Sequence, residues 1–161
     1  MIDQDFPEPQ PRSIVIIGVG RERTMDDSVG LVVARRLQGE GLPDSVTVEE
    51  VPACGMELIP ALEGATLAII IAALDIGEEP GTVRAFTPQD LEDGTMLIAD
   101  KPRHPSLGDV LELAAMADLA PEVTIIAIQP GEIAPGYEMT EAVQGAVAEA
   151  ASKVLELVSL R

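Results

Sequence analysis

Tryptophan is absent from this chain, and one tyrosine and two phenylalanines are its whole aromatic complement. Apolar residues nevertheless make up 47% of the sequence, so its interior must be built from Val, Ile, Leu and Ala. Aliphatic packing of that kind suits a parallel sheet covered by helices on both faces. Histidine occurs once, as His104, which excludes sites assembled from several imidazoles, the His-Glu-x-x-His zinc motif among them. Cysteine also occurs once, as Cys54, so no internal disulfide can form and the cytoplasm is the expected compartment. No charged start followed by a long apolar secretory segment opens the chain. Apolar runs such as Leu67 to Leu74 fall far short of the ~20 residues a membrane helix needs, and no membrane contact is expected. Basic residues are scarce: ten Lys and Arg face 28 Asp and Glu, a formal charge of −18. A surface of that sign repels phosphate backbones, which disfavours nucleic acid as a partner. It can steer a basic protein surface toward the molecule, although solubility is its simplest consequence.

A chain of 161 residues suffices for one core and is short for two. Residues 1–12 hold three prolines and three acids without periodicity and read as a flexible lead, leaving 13–161 as a single domain. Ser13 to Val19 is a β-branched run that ends among Gly18 and Gly20. From Ser28 onward, Val29, Val32, Val33 and Leu37 recur at helical spacing. Val46 to Val51 reads as a second strand, Gly55 to Leu62 as a short helix ended by Gly64, and Leu67 to Leu74 as a central strand. Thr82 to Phe86 reads as an edge strand, with Pro88 opening a helical turn over Gln89 to Leu91. A helix follows from Ser106, its candidate N-cap, then a last buried strand from Val123 to Ile128. A long Ala-rich helix over Thr140 to Leu160, with Thr140 as N-cap, closes the chain. Strands alternating with helices imply an α/β fold with a mostly parallel sheet between two helical layers. In such folds the functional site lies beyond the carboxyl ends of the strands.

The loop Gly18-Val-Gly-Arg-Glu-Arg-Thr-Met-Asp-Asp-Ser-Val-Gly30 follows the first strand. A dinucleotide fingerprint needs a third glycine where Arg23 stands, and a P-loop needs a Gly-Lys-Ser/Thr ending that is missing, so phosphate binding is disfavoured. The simplest role for Asp26 and Asp27 is to satisfy free amides and the dipole at the helix start. His104 lies in Asp100-Lys-Pro-Arg-His-Pro-Ser-Leu107, just before a helix, where a solvated imidazole is the plainest reading. Yet Asp27 and His104 both belong to loops at the carboxyl edge of the sheet, and Asp75 follows the central strand at that same edge. Two carboxylates and one imidazole suit a borderline divalent ion such as nickel or zinc, with positions left open for a substrate. Cys54 reads as a partly buried structural thiol and Arg103 as a solvated surface arginine.

The order and spacing of several short elements resemble one known family. They are Gly18-Val-Gly20, Asp26-Asp27-x-x-Gly30, Ala53-Cys-Gly-Met-Glu-Leu58, Asp75-Ile-Gly-Glu-Glu-Pro-Gly-Thr-Val83, His104 before a leucine-rich helix, and Pro121-Glu-Val-Thr-Ile-Ile126. From Ile14 to about Leu160 the chain is similar to the endopeptidases that mature nickel-iron hydrogenases. The resemblance implies a three-layer α/β/α sandwich around a mostly parallel twisted sheet. It also implies an aspartate/histidine, metal-dependent, aspartyl-protease-like hydrolase that removes a C-terminal extension from a hydrogenase large-subunit precursor. The nickel it recognises would be supplied by that substrate, with no tightly bound cofactor of its own, and its action is compatible with a monomer. Asp27 and His104 are the metal-contacting and catalytic candidates carried over, and Asp75 is the third candidate, standing in for part of a missing ligand's role. Two positions depart from the family pattern: Arg21 stands where Asn is usual, and Ala72 stands where a third-strand aspartate is expected. Because strand side chains alternate in direction, Asp75 can replace that aspartate only if the strand ends before it. Ala72 keeps open the alternative of a non-catalytic homologue that binds a hydrogenase subunit or maturation factor. A nucleotide-binding domain using the Gly18 to Gly30 loop is a third and weaker possibility.

Overall fold

Strand β1, Ile14–Gly20, is buried at every position, as a strand must be when helices cover both of its faces. The computed structural model to which it belongs describes residues 13–52, 56–92 and 107–159. The expectations for residues 1–12, Cys54, Arg103, His104 and Ser106 therefore fall outside the described residues.

After β1 a short 3-10 turn, Met25–Ser28, leads into α1, Val29–Gln38. Next come β2 (Val46–Pro52), the single-turn α2 (Leu58–Ala61), β3 (Leu67–Ala73) and β4 (Val83–Phe86). Helices α3 (Pro88–Glu92) and α4 (Leu107–Met116), strand β5 (Glu122–Ile128) and helix α5 (Glu141–Ser159) complete the described order. Helix α2 is shorter than the reading from Gly55 anticipates. Its Pro60 sits within the first turn, where a missing N–H forfeits no helical bond, and Gly64 follows at φ +78°.

The sheet runs β2-β1-β3-β5-β4, parallel throughout except for β4, which pairs antiparallel with β5 at the edge. Alternation divides the core in two. Ile14, Ile16, Ile69, Ile71, Ile126 and Ile128 face α1 and α5, which contribute Val33, Leu37, Val143 and Val154. Val15, Ile17, Val19, Ile70, Ala72 and Ile125 face the other way, toward Leu58 of α2 and Leu107, Val110 and Ala114 of α4. Helices on both faces of a mostly parallel sheet make the three-layer α/β/α sandwich. Among the described residues no helix is long and apolar enough to cross a membrane.

The strand order fixes where a site can form. From β1 the chain passes to β2 on one side, and its next strand, β3, joins on the other. The carboxyl ends of β1 and β3 therefore flank a topological switch point, the crevice in which such sheets bind ligands.

Candidate functional site at the switch point

Two glycines bring the loop after β1 onto these strand ends. A Cβ on Gly30 would lie 2.3 Å from the Val19 carbonyl oxygen and 2.4 Å from that of Ile71, so the start of α1 touches both β1 and β3 only because no side chain intervenes. A Cβ on Gly20 would lie 2.3 Å from the carbonyl oxygen of Asp27, which shows how closely that residue's backbone sits over the end of β1. The glycines of this loop thus serve close packing.

Asp26 and Asp27, adjacent in sequence, have different tasks, and the helix-capping role expected of them is not the one Asp26 performs. Asp26 is fully buried, and its carboxylate reaches across to the connection between β5 and α5. Its Oδ2 accepts hydrogen bonds from the Gly131 amide at 2.8 Å, the Glu132 amide at 2.9 Å and the Thr140 hydroxyl at 2.8 Å. Its Oδ1 accepts from the Thr140 amide at 2.7 Å. Burial alone would raise the Asp26 pKa. The donors from Glu132, Thr140 and Gly131 outweigh that effect and hold the carboxyl below its ordinary value. Thr140 keeps the N-cap position expected of it, since its carbonyl accepts the Gln144 amide, while its hydroxyl donates to Asp26.

Backbone bonds extend this seam. Met25 donates to the Gly136 carbonyl at 3.1 Å, Gly136 to that of Arg23 at 2.9 Å, and Asp26 to that of Glu132 at 3.1 Å. Arg23 and Met25 adopt φ values of +59° and +49°, left-handed conformations that cost a side-chain-bearing residue energy. The Asp26 network and these bonds hold the strained loop in place.

Asp27 stays at the surface of the crevice, with 19% of its side chain exposed. Its Oδ2 accepts a hydrogen bond from Nε of Arg21 at 3.1 Å. Beside this pair opens a cavity of about 440 Å³ lined by Arg21, Glu22, Thr24, Leu31, Glu50 and neighbouring residues. Arg35 spans its wall, paired with Glu50 at 2.8 Å and also with Glu22.

β3 ends at Ala73, so Asp75 lies beyond the strand and the strict alternation of faces no longer binds it. Its Oδ1 accepts from the Gly77 amide at 3.1 Å and from Nε2 of Gln129 at 3.2 Å. Gln129, buried at the end of β5, also accepts from the Ile76 amide at 2.8 Å and the Glu78 amide at 3.3 Å. Asp75 and Gln129 together shape the loop that follows β3. Gln129 was not among the expected functional residues, because its partners lie more than fifty positions earlier in the chain. Ala72 is buried on the α2 and α4 face and pairs in register with Ala127.

Asp27 and Asp75 thus lie in loops that leave the carboxyl ends of neighbouring strands, each engaged with a partner from its own surroundings. Among the described residues no three His, Cys, Asp or Glu side chains gather closely enough to hold a metal. His104, the third expected member, lies outside them.

Comparison with known proteins gives a consistent result. Residues 31–157 match the family model described as hydrogenase maturation protease. The hydrogenase expression/formation protein HupD of Rhodobacter capsulatus is 30% identical over 154 residues, spanning 90% of this chain and 72% of the relative. Among solved structures, the hydrogenase maturating endopeptidase HybD of E. coli superposes with a TM-score of 0.80 at 23% identity, covering 91% of this chain and 92% of that one. The hydrogenase 2 maturation peptidase of a Thaumarchaeota archaeon has a TM-score of 0.69 at 27% identity, covering 93% and 100%.

Proposed function

The chain belongs to the hydrogenase maturation protease family, and from that membership we propose that it removes the C-terminal extension of a nickel-iron hydrogenase large-subunit precursor in the cytoplasm. The observation that carries the reading to a particular residue is the placement of Asp27 at the switch point, held over the end of β1 by the Gly20 contact. The family match begins at Leu31, so the role of Asp27 rests on this geometry and on the resemblance of its loop.

In this proposal the nickel arrives with the precursor and belongs to the substrate. Asp27 offers it a carboxylate oxygen and His104 an imidazole nitrogen, donors that suit a borderline divalent ion. Asp75, freed from the strand register by the end of β3, is the third candidate. Its Oδ1 already accepts from Gly77 and Gln129, which leaves Oδ2 as the oxygen to offer. A precursor without nickel gives these groups nothing to grip, which makes cleavage conditional on completed metal insertion. Incubation of the purified chain with nickel-loaded precursor is expected to shorten the precursor by its C-terminal extension. An unchanged intact mass after prolonged incubation counts against the reading.

Ala72 supports a second reading, in which the chain binds a hydrogenase subunit or maturation factor without cutting it. A methyl group supplies neither charge nor a metal bond, and no carboxylate is present at that point of β3. The substitution Ala72→Asp separates the two. Cleavage by the variant alone makes the natural chain a binding protein, whereas cleavage by the unmodified chain rejects that role.

A further inference from the structure

The guanidinium of Arg21 sits against the Asp27 carboxylate that is read as the metal-contacting group. Its Nε lies 3.1 Å from Oδ2, and the pair is asymmetrically exposed, 44% for the arginine side chain and 19% for the aspartate. A carboxylate already paired with one cation is a poorer ligand for a second, since two positive charges at close range repel. The arginine is the more exposed partner, and it already lines the cavity of about 440 Å³ beside the pair. That cavity also presents Glu22 and Glu50, two carboxylates that share the single guanidinium of Arg35. A displaced Arg21 therefore has room to move into and negative charge to meet there.

We infer that Arg21 is a displaceable internal counter-cation, which covers Asp27 until a divalent ion carried by the substrate takes its place and sends the guanidinium into the adjacent cavity. The inference rests on the reading of Asp27 as a metal-contacting group and adds a selection step to it. A dication outcompetes a singly charged guanidinium for one carboxylate, whereas a monovalent ion or a metal-free peptide does not. Arg21 acts through Asp27, which makes it a positioning residue that sets the threshold for recognition.

Calorimetric titration of the isolated 161-residue chain with Ni²⁺ alone tests this without any precursor. Arg21→Gln is expected to bind Ni²⁺ at least about fivefold more tightly than the unmodified chain, the gain that losing a half-exposed pair and its repulsion of the metal provides. Arg21→Lys keeps the charge and should remain close to the unmodified chain. The double variant Arg21→Gln with Asp27→Asn should lose the gain, which separates the site from general binding to an acidic surface. The difference should also shrink as salt is raised. Equal behaviour of Arg21→Gln and the unmodified chain, including no heat from either, overturns the inference. So does a gain that survives Asp27→Asn. A calorimetric difference without precursor cleavage would reject the proteolytic reading and leave the counter-cation in place. Cleavage without the difference would do the reverse.

Discussion

Asp26 and Asp27 differ by one position in the chain, yet one is sealed inside the fold and the other lies at the crevice. A carboxylate only accepts hydrogen bonds, and four donors converge on Asp26. Asp26→Asn keeps the shape but turns an NH₂ group toward donors, so it should destabilise the fold by about 2–4 kcal/mol, measurable by urea denaturation. The pH dependence follows from the depressed pKa. In the unfolded chain Asp26 takes up its proton near the ordinary value of 3.8, while in the fold it does so at lower pH. Its contribution to stability is therefore complete above the unfolded value and is lost as pH falls through the folded one. The stability difference between the unmodified chain and Asp26→Asn should be constant near neutrality and narrow as the pH drops below about 4. A difference that does not change with pH would contradict the assignment. Asp27→Asn, by contrast, removes a partly exposed ion pair and should cost less than about 1 kcal/mol.

At the scale of elements, the contact of α1 with β1 and β3 is the feature on which the site's position depends. Gly30→Ala would force a methyl group against two backbone carbonyls at 2.3 and 2.4 Å, atoms that cannot move aside as a side chain tip can. It should destabilise the protein by roughly 2–4 kcal/mol and lower its thermal midpoint, whereas an alanine at Gly145, where a Cβ meets nothing within 4 Å, should be tolerated. Strands were the most legible elements. The continuous apolar run of β3 and the poorly alternating β4 follow directly from central and edge positions, where both faces or only part of one are buried. The helical periodicity of α1 and α5 was legible for the same reason, since each presents one face to the core. Asp26 and Gln129 were not legible as anchors. Their partners lie 105 to 114 and 51 to 54 positions away, and local patterns carry no trace of such pairings. The extent of α2 is not legible either, because a single helical turn has too few residues to express a period.

For the molecule as a whole, a formal charge of −18 surrounds a crevice that is proposed to receive a metal-bearing protein. A field of that sign attracts cations and repels acidic surfaces, so it favours encounter with a positively charged site on the precursor. The sandwich itself, with its switch point between β1 and β3, sets where that encounter must lead. In the proposed function Asp27, at that switch point, engages nickel already present in the precursor. Intact-mass measurement of the precursor decides it, with nickel-loaded and nickel-free material incubated in parallel with the unmodified protein and with Asp27→Asn. Loss of the C-terminal extension is expected only where nickel and Asp27 are both present. Equal trimming of nickel-free precursor, or undiminished trimming by Asp27→Asn, would contradict it.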